Sequence, residues 1–100
     1  MAHYPFKMSA KIKAKLADKH QVTAREVAEC FYNRTSVTLI DNRESHRTDP
    51  PTEWFIAKTD RGRQLKIIFI LVDGVIYLKS AFEADKQSIR IYKLKVNQHV

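Results

Sequence analysis

Arg63-Gln64-Leu65-Lys66-Ile67-Ile68-Phe69-Ile70-Leu71-Val72-Asp73-Gly74-Val75-Ile76-Tyr77-Leu78-Lys79-Ser80-Ala81-Phe82 is the stretch on which the fold turns. Asp-Gly is the dipeptide of a type I′ hairpin, because both central residues of that turn need positive φ. The segment before it is long, rich in β-branched residues and apolar on both faces in its later half, as expected of a strand at the centre of a sheet. The segment after it, Val75 to Phe82, pairs back.

Outward from this hairpin, Asp60-Arg61-Gly62 marks a second tight turn, and Glu53 to Thr59 supplies the strand before it. Alternation puts Trp54 and Ile56 on one face of that strand and Phe55 and Ala57 on the other. Asn42 to Thr52 is polar and ends in Pro50-Pro51, an exposed loop that cannot extend a central strand. Ser36 to Asp41 reads as a first strand.

Before residue 36 the period is helical. Ser9 can cap a helix running to about His20, with Ile12 and Leu16 on its inner face. Thr23-x-x-Glu26 has the reciprocal spacing of a capping box, and Val27, Cys30 and Phe31 form the buried stripe of the helix it opens, with Asn33 at the exit. Only His20, Gln21 and Val22 link the two helices, so they pack as neighbours at a sharp angle. At the other end, Asp85 can cap a helix through Lys95, with Ile89, Tyr92 and Val96 at helical spacing. Ile89 and Ile91 also alternate as in a strand; helix is the favoured reading. The expected fold is therefore α+β, with two N-terminal helices packed on an antiparallel sheet of about four strands and a C-terminal helix. Residues 1–8 are expected as a flexible arm and 9–100 as one domain.

A chain of 100 residues fits a single core. The longest apolar run, Ile67 to Val72, is far too short to span a bilayer. Lys7, Lys11, Lys13 and Lys15 interrupt the start, which has no secretory apolar stretch. A lone Cys30 forms no internal disulfide and fits a reducing compartment, so a cytoplasmic location is expected. Lysine and arginine number 18 against 11 acidic residues, a net charge of +7, which draws polyanions to the surface; nucleic acid, an anionic membrane and an acidic protein partner are the candidates.

Several chemistries lack their signatures. No Cys/His cluster has zinc spacing, no glycine-rich phosphate loop is present, and there is no Gly-x-Ser-x-Gly elbow. Asp41, Glu44 and Asp49 alternate with Arg43 and Arg47, the pattern of a solvated loop rather than a metal site. No metal or other cofactor is expected. Metal-free RNA cleavage needs a base for the 2′-hydroxyl, cations for the transition-state phosphate and an acid for the leaving 5′-oxygen. Lys19, His20, Arg63 and Tyr92 are the catalytic candidates, and Arg61, Lys66, Lys79 and Arg90 the RNA-binding ones. Each has a blander explanation. Lys19 and His20 suit a helix C-terminus electrostatically, Arg63 flanks a turn, and Tyr92 falls on a core stripe. Trp54 reads as a packing residue, and His46 as a loop histidine.

The pattern Lys19-His20-x-Val22-Thr23-x-x-Glu26-Val27 is similar to the Lys-His-Gly-Val-Ser helix junction of BrnT-like toxins. The similarity continues through Glu53-Trp54-Phe55-Ile56, Gly62-Arg63-x-Leu65, Ser80-Ala81, Ala84 and Tyr92, and covers about residues 9 to 93. It departs at Gln21, where the family often has glycine, at Phe82, where an arginine is usual, and at Ser88, where an acidic residue is common. The resemblance implies a RelE-like ribonuclease fold with a curved sheet. It also implies a bacterial type II toxin–antitoxin system in which the toxin cleaves messenger RNA, at the ribosome in one version, and is held inactive by a cognate antitoxin protein. Assembly as a homodimer or as a hetero-oligomer with the antitoxin is compatible with it. The alternative is a catalytically silent RNA- or protein-binding module on the same scaffold, which Phe82 and Ser88 favour.

Overall fold

A computed structural model describes residues 4–35, 37–41 and 50–97. Three helical segments and four strands follow one another: α1 (Ala10–Lys15) running into a π-helical turn (Leu16–His20), α2 (Ala24–Asn33), β1 (Leu39–Ile40), β2 (Thr52–Lys58), β3 (Gln64–Val72), β4 (Val75–Glu83) and α3 (Lys86–Asn97). The strands form one antiparallel meander in the order β1-β2-β3-β4. The α+β architecture is the expected one, and the tail is a helix rather than a strand. Among the described residues no helix is long and apolar enough to cross a membrane.

Local chemistry explains most boundaries. The capping box at α2 is formed in both directions: the Glu26 N–H donates to Thr23 Oγ1 at 3.1 Å, and the Thr23 N–H donates to Glu26 Oε1 at 3.1 Å. Asp85 caps α3, accepting from the Ser88 N–H at 2.6 Å. Asp73 and Gly74 both have positive φ, 51° and 80°, as a type I′ turn requires. β1 is shorter than the expected Ser36 to Asp41, and Ser36 lies outside the described residues, as do Arg43, Glu44, His46, Arg47 and Asp49.

The first helix differs from expectation in its last turn. Instead of ending as α-helix it widens to π geometry, so that the Leu16 carbonyl accepts from the N–H of Gln21, and also from that of Val22 at 3.0 Å. Gln21 then takes a left-handed conformation, φ 49°, which reverses the chain within the three-residue link. A residue with a Cβ is strained there and glycine is not. Gln21→Gly is accordingly expected to raise stability by about 0.5–1 kcal/mol, read as a higher urea midpoint at unchanged slope. An unchanged or lower midpoint would contradict the assigned strain.

Register assigns the two faces of the sheet. Phe55 pairs with Ile67, which pairs with Ala81, and Ala57 pairs with Leu65; these buried residues face α1, the π turn and α2. Leu16, Val22, Val27 and Cys30 close the core from the helical side. The Cys30 thiol donates to the Ala57 carbonyl at 3.6 Å, and burial pushes its pKa up to about 12, so it is an inert packing group. On the opposite face, Trp54 and Ile56 pair with Ile68 and Lys66, and α3 covers part of it with Ile89, Tyr92 and Val96. A bulge lies between Ile68 and Phe69 of β3, opposite Lys79 of β4.

The segment from Tyr4 to Met8, expected as a loose arm, lies along the sheet. Lys7 bridges to Tyr77 in parallel, its N–H donating to the Ile76 carbonyl at 2.8 Å and its carbonyl accepting from the Leu78 N–H at 2.9 Å. Phe6 is buried and stacks on Phe31. The outer edge of β4 is thereby paired at Ile76–Leu78, which shortens the open pairing template there.

Candidate nucleic-acid groove

The part of the second sheet face that α3 leaves uncovered is a groove of about 470 Å³. Trp54, Lys66, Ile68 and Phe82 form its floor, and Ser88 and Lys95 stand on its helical wall. Lys66 is the only charged side chain in β3, and its position opposite Ile56 and Phe82 turns it onto this face. Its ammonium lies 4.4 Å from the centroid of the Trp54 ring and donates to Ser88 Oγ at 3.3 Å. The indole face attracts the cation, and the serine orients it. Asp85 also lines the groove; its carboxyl is held below the usual range by the Ser88 N–H and hydroxyl, with Lys66 contributing.

The Lys19-His20 junction meets the groove only through Phe82, since neither Lys19 nor His20 lines it. The His20 ring is half-buried with its centroid 5.4 Å from that of Phe82, a groove residue, while Lys19 is exposed beside it. Among the described residues His20 is the only histidine. Phe82 and Ser88, two of the departures from the toxin pattern, thus both line the groove that contains Lys66. An acidic residue at position 88 would add a second carboxylate beside that ammonium, which Asp85 already faces.

Arg63 is employed differently. Its Nε donates to Glu83 Oε1 at 3.0 Å, one terminal nitrogen donates to both oxygens of Glu26 and to the Gln21 carbonyl at 2.8 Å, and the other donates to the His20 carbonyl at 3.1 Å. The guanidinium fork satisfies the carbonyls at the end of the π turn and ties the helix junction to β4. Each of its three nitrogens donates within the protein, so it acts on His20 through the backbone. Tyr92 is likewise engaged: it is buried, its ring lies 5.6 Å from Trp54, and its hydroxyl donates to the Val37 carbonyl at 2.7 Å. Of the remaining cations, Arg61 is exposed in the β2–β3 turn, Lys79 is exposed at the bulge, and Arg90 is exposed on α3; none of the three lines the groove. Lys66 was legible as a cation, but its partners Trp54 and Ser88 were not. The available signal was a single lysine inside an otherwise apolar central strand.

Arg63→Ala is expected to destabilise the protein by on the order of 2 kcal/mol, a figure reduced for the solvent exposure of the pairs. Arg63→Lys should recover little of it, since an ammonium lacks the fork. Burial raises the Glu26 carboxyl pKa, but the Thr23 N–H and Arg63 outweigh burial and hold it below its ordinary value. The stabilisation from this carboxylate is therefore complete above the unfolded carboxylate range and fades as pH falls through the depressed folded value. The gap between wild type and Arg63→Ala should narrow in acid; urea midpoints at neutral and acidic pH measure it, and a pH-independent gap would refute the pairing.

No protein-family model, curated protein or solved structure matches the chain.

Proposed function

We propose that this protein is a toxin of a type II toxin–antitoxin pair, a cytoplasmic ribonuclease that binds single-stranded messenger RNA in the groove between the sheet and α3 and is restrained by a cognate antitoxin. The observation that carries the reading is the Lys66 ammonium held over Trp54 and against Ser88, in a groove whose floor residue Phe82 touches His20. A basic protein with an aromatic-floored, lysine-bearing cleft suits a strand whose phosphates meet cations and whose bases meet apolar rings. The element order agrees with the fold that the toxin resemblance implies.

In the proposed reaction His20 accepts the proton of the 2′-hydroxyl, and the 2′-oxygen bonds to the adjacent phosphorus. The bond from phosphorus to the 5′-oxygen breaks, leaving a 2′,3′-cyclic phosphate, and that oxygen takes a proton from water. Lys66 and Lys19 offset the charge that grows on the phosphoryl oxygens. Arg63 positions the backbone that carries His20.

A second reading has its own support: Arg63 and Tyr92 are bound within the protein, and Phe82 stands where the family pattern has a cation. On that reading the same groove binds RNA without cutting it. Inducible expression with and without the adjacent gene product, scoring growth and messenger integrity, separates the two. In vitro, affinity for a fluorescent single strand should fall steeply as salt rises, and Lys66→Ala should flatten the slope of log K against log salt by about 0.7. A flat salt response, or no binding at low salt, would rule out both readings.

A further inference from the structure

A second charged feature lies outside the groove. From Lys7 to His20 the chain carries five lysines against one acidic residue, Asp18. All five, Lys7, Lys11, Lys13, Lys15 and Lys19, are exposed, and none is in an ion pair among the described residues. Lys11, Lys15 and Lys19 recur every four residues. In an α-helix that repeat drifts round the axis, because a turn takes 3.6 residues. The π turn at Leu16–His20 takes more than four residues and drifts the other way, so the three lysines stay on one line. The line ends at Lys19, one residue before His20, whose ring touches Phe82 at the groove.

The stripe suits a polyanion better than other partners. The apolar residues of this helix, Ile12 and Leu16, turn inward against the core, leaving no exposed wedge of the kind that inserts into a membrane. Nor does the stripe offer the aromatic or aliphatic anchor that dominates protein–protein interfaces. Repeated ammonium groups without anchors are what sequence-independent phosphate binding requires.

We propose that RNA leaving the groove past Phe82 and His20 continues along Lys19, Lys15 and Lys11, so that the substrate is a strand long enough to occupy groove and stripe together. The inference rests on the RNA reading above and extends its footprint. The stripe from Lys11 to Lys19 spans about 12 Å at the α-helical rise, which adds phosphate contacts only for longer strands.

The test uses the full chain, fluorescein-labelled oligouridylates of 6 and 20 nucleotides, and a Lys11→Gln/Lys15→Gln double variant. Both positions are exposed, so the circular dichroism spectrum and thermal midpoint should match wild type. The salt slope for the long strand should fall by about 0.7 per lysine removed, with the hexamer slope unchanged. An unchanged slope for the long strand, or equal losses on both lengths, overturns the stripe while leaving the groove reading intact if Lys66→Ala still weakens both. Failure of the wild type to bind either strand overturns the RNA reading and the stripe with it. Loss of binding to phosphatidylserine vesicles, with RNA slopes unaltered, would assign the lysines to a membrane instead.

Discussion

Exchanging His20 for alanine is expected to slow RNA cleavage by about 10²–10⁴-fold while leaving affinity for the strand nearly unchanged, the range typical of a lost general base. Among the described residues no other imidazole is available to take its place. The His20 ring also packs near Phe82, so a loss of rate by itself would be ambiguous. His20→Gln, which keeps a polar side chain of similar reach but is no base, should be equally slow and should melt close to wild type. Single-turnover cleavage of a labelled strand, run beside a binding titration, separates chemistry from affinity. Full cleavage by both variants would remove His20 from the mechanism. A wild-type protein that binds RNA tightly but never cuts it would establish the binding-module reading.

Phe55→Ala should have the largest effect on stability, about 3–5 kcal/mol, because it deletes an aromatic ring from a close-packed site. Phe55 is 0% exposed, with ring centroids 5.0 Å from Phe31 and 6.1 Å from Phe69, and the Arg34 guanidinium lies over its ring at 5.6 Å. It joins α2 to the centre of the sheet. Each kcal/mol shifts the melting midpoint of a domain this size by about 4–8 °C, so the variant should be largely unfolded well below the wild-type midpoint. Trp54→Ala is the informative neighbour. Its side chain faces the groove, and the substitution should cost less stability and more RNA affinity. A Phe55→Ala protein within about 1 kcal/mol of wild type would be outside the range for a buried ring, and the face assignment would have to be reversed.

Much of the backbone was legible in the residues alone, because its causes are local. The Thr23-x-x-Glu26 box, the Asp73-Gly74 turn and the Asp85 cap each satisfy backbone groups within a few residues, and all three form where they were expected. Alternation in β2 placed Phe55 and Ala57 opposite Trp54 and Ile56 before any partner strand was known. The left-handed Gln21 likewise has a local cause, the closing of the three-residue helix link.

The candidate site is a different matter, since its members meet across long stretches of chain. Lys66 reaches Trp54 through the β2–β3 register and Ser88 through the packing of α3, and no pattern within one segment encodes either contact. Arg63 looked like a cation beside a turn; only the approach of the helix junction, 42 and 43 residues away, gave it two carbonyls and Glu26 to bind. Phe6 lay in an arm with no periodicity, and its burial depends on an open β4 edge and on Phe31 being there to receive it. Turns, caps and alternation are set by chemistry between near neighbours, so the order of residues is enough to place them. Which lysine faces a groove and which arginine is consumed depends on register and packing, and those were decided only when the sheet closed against its helices.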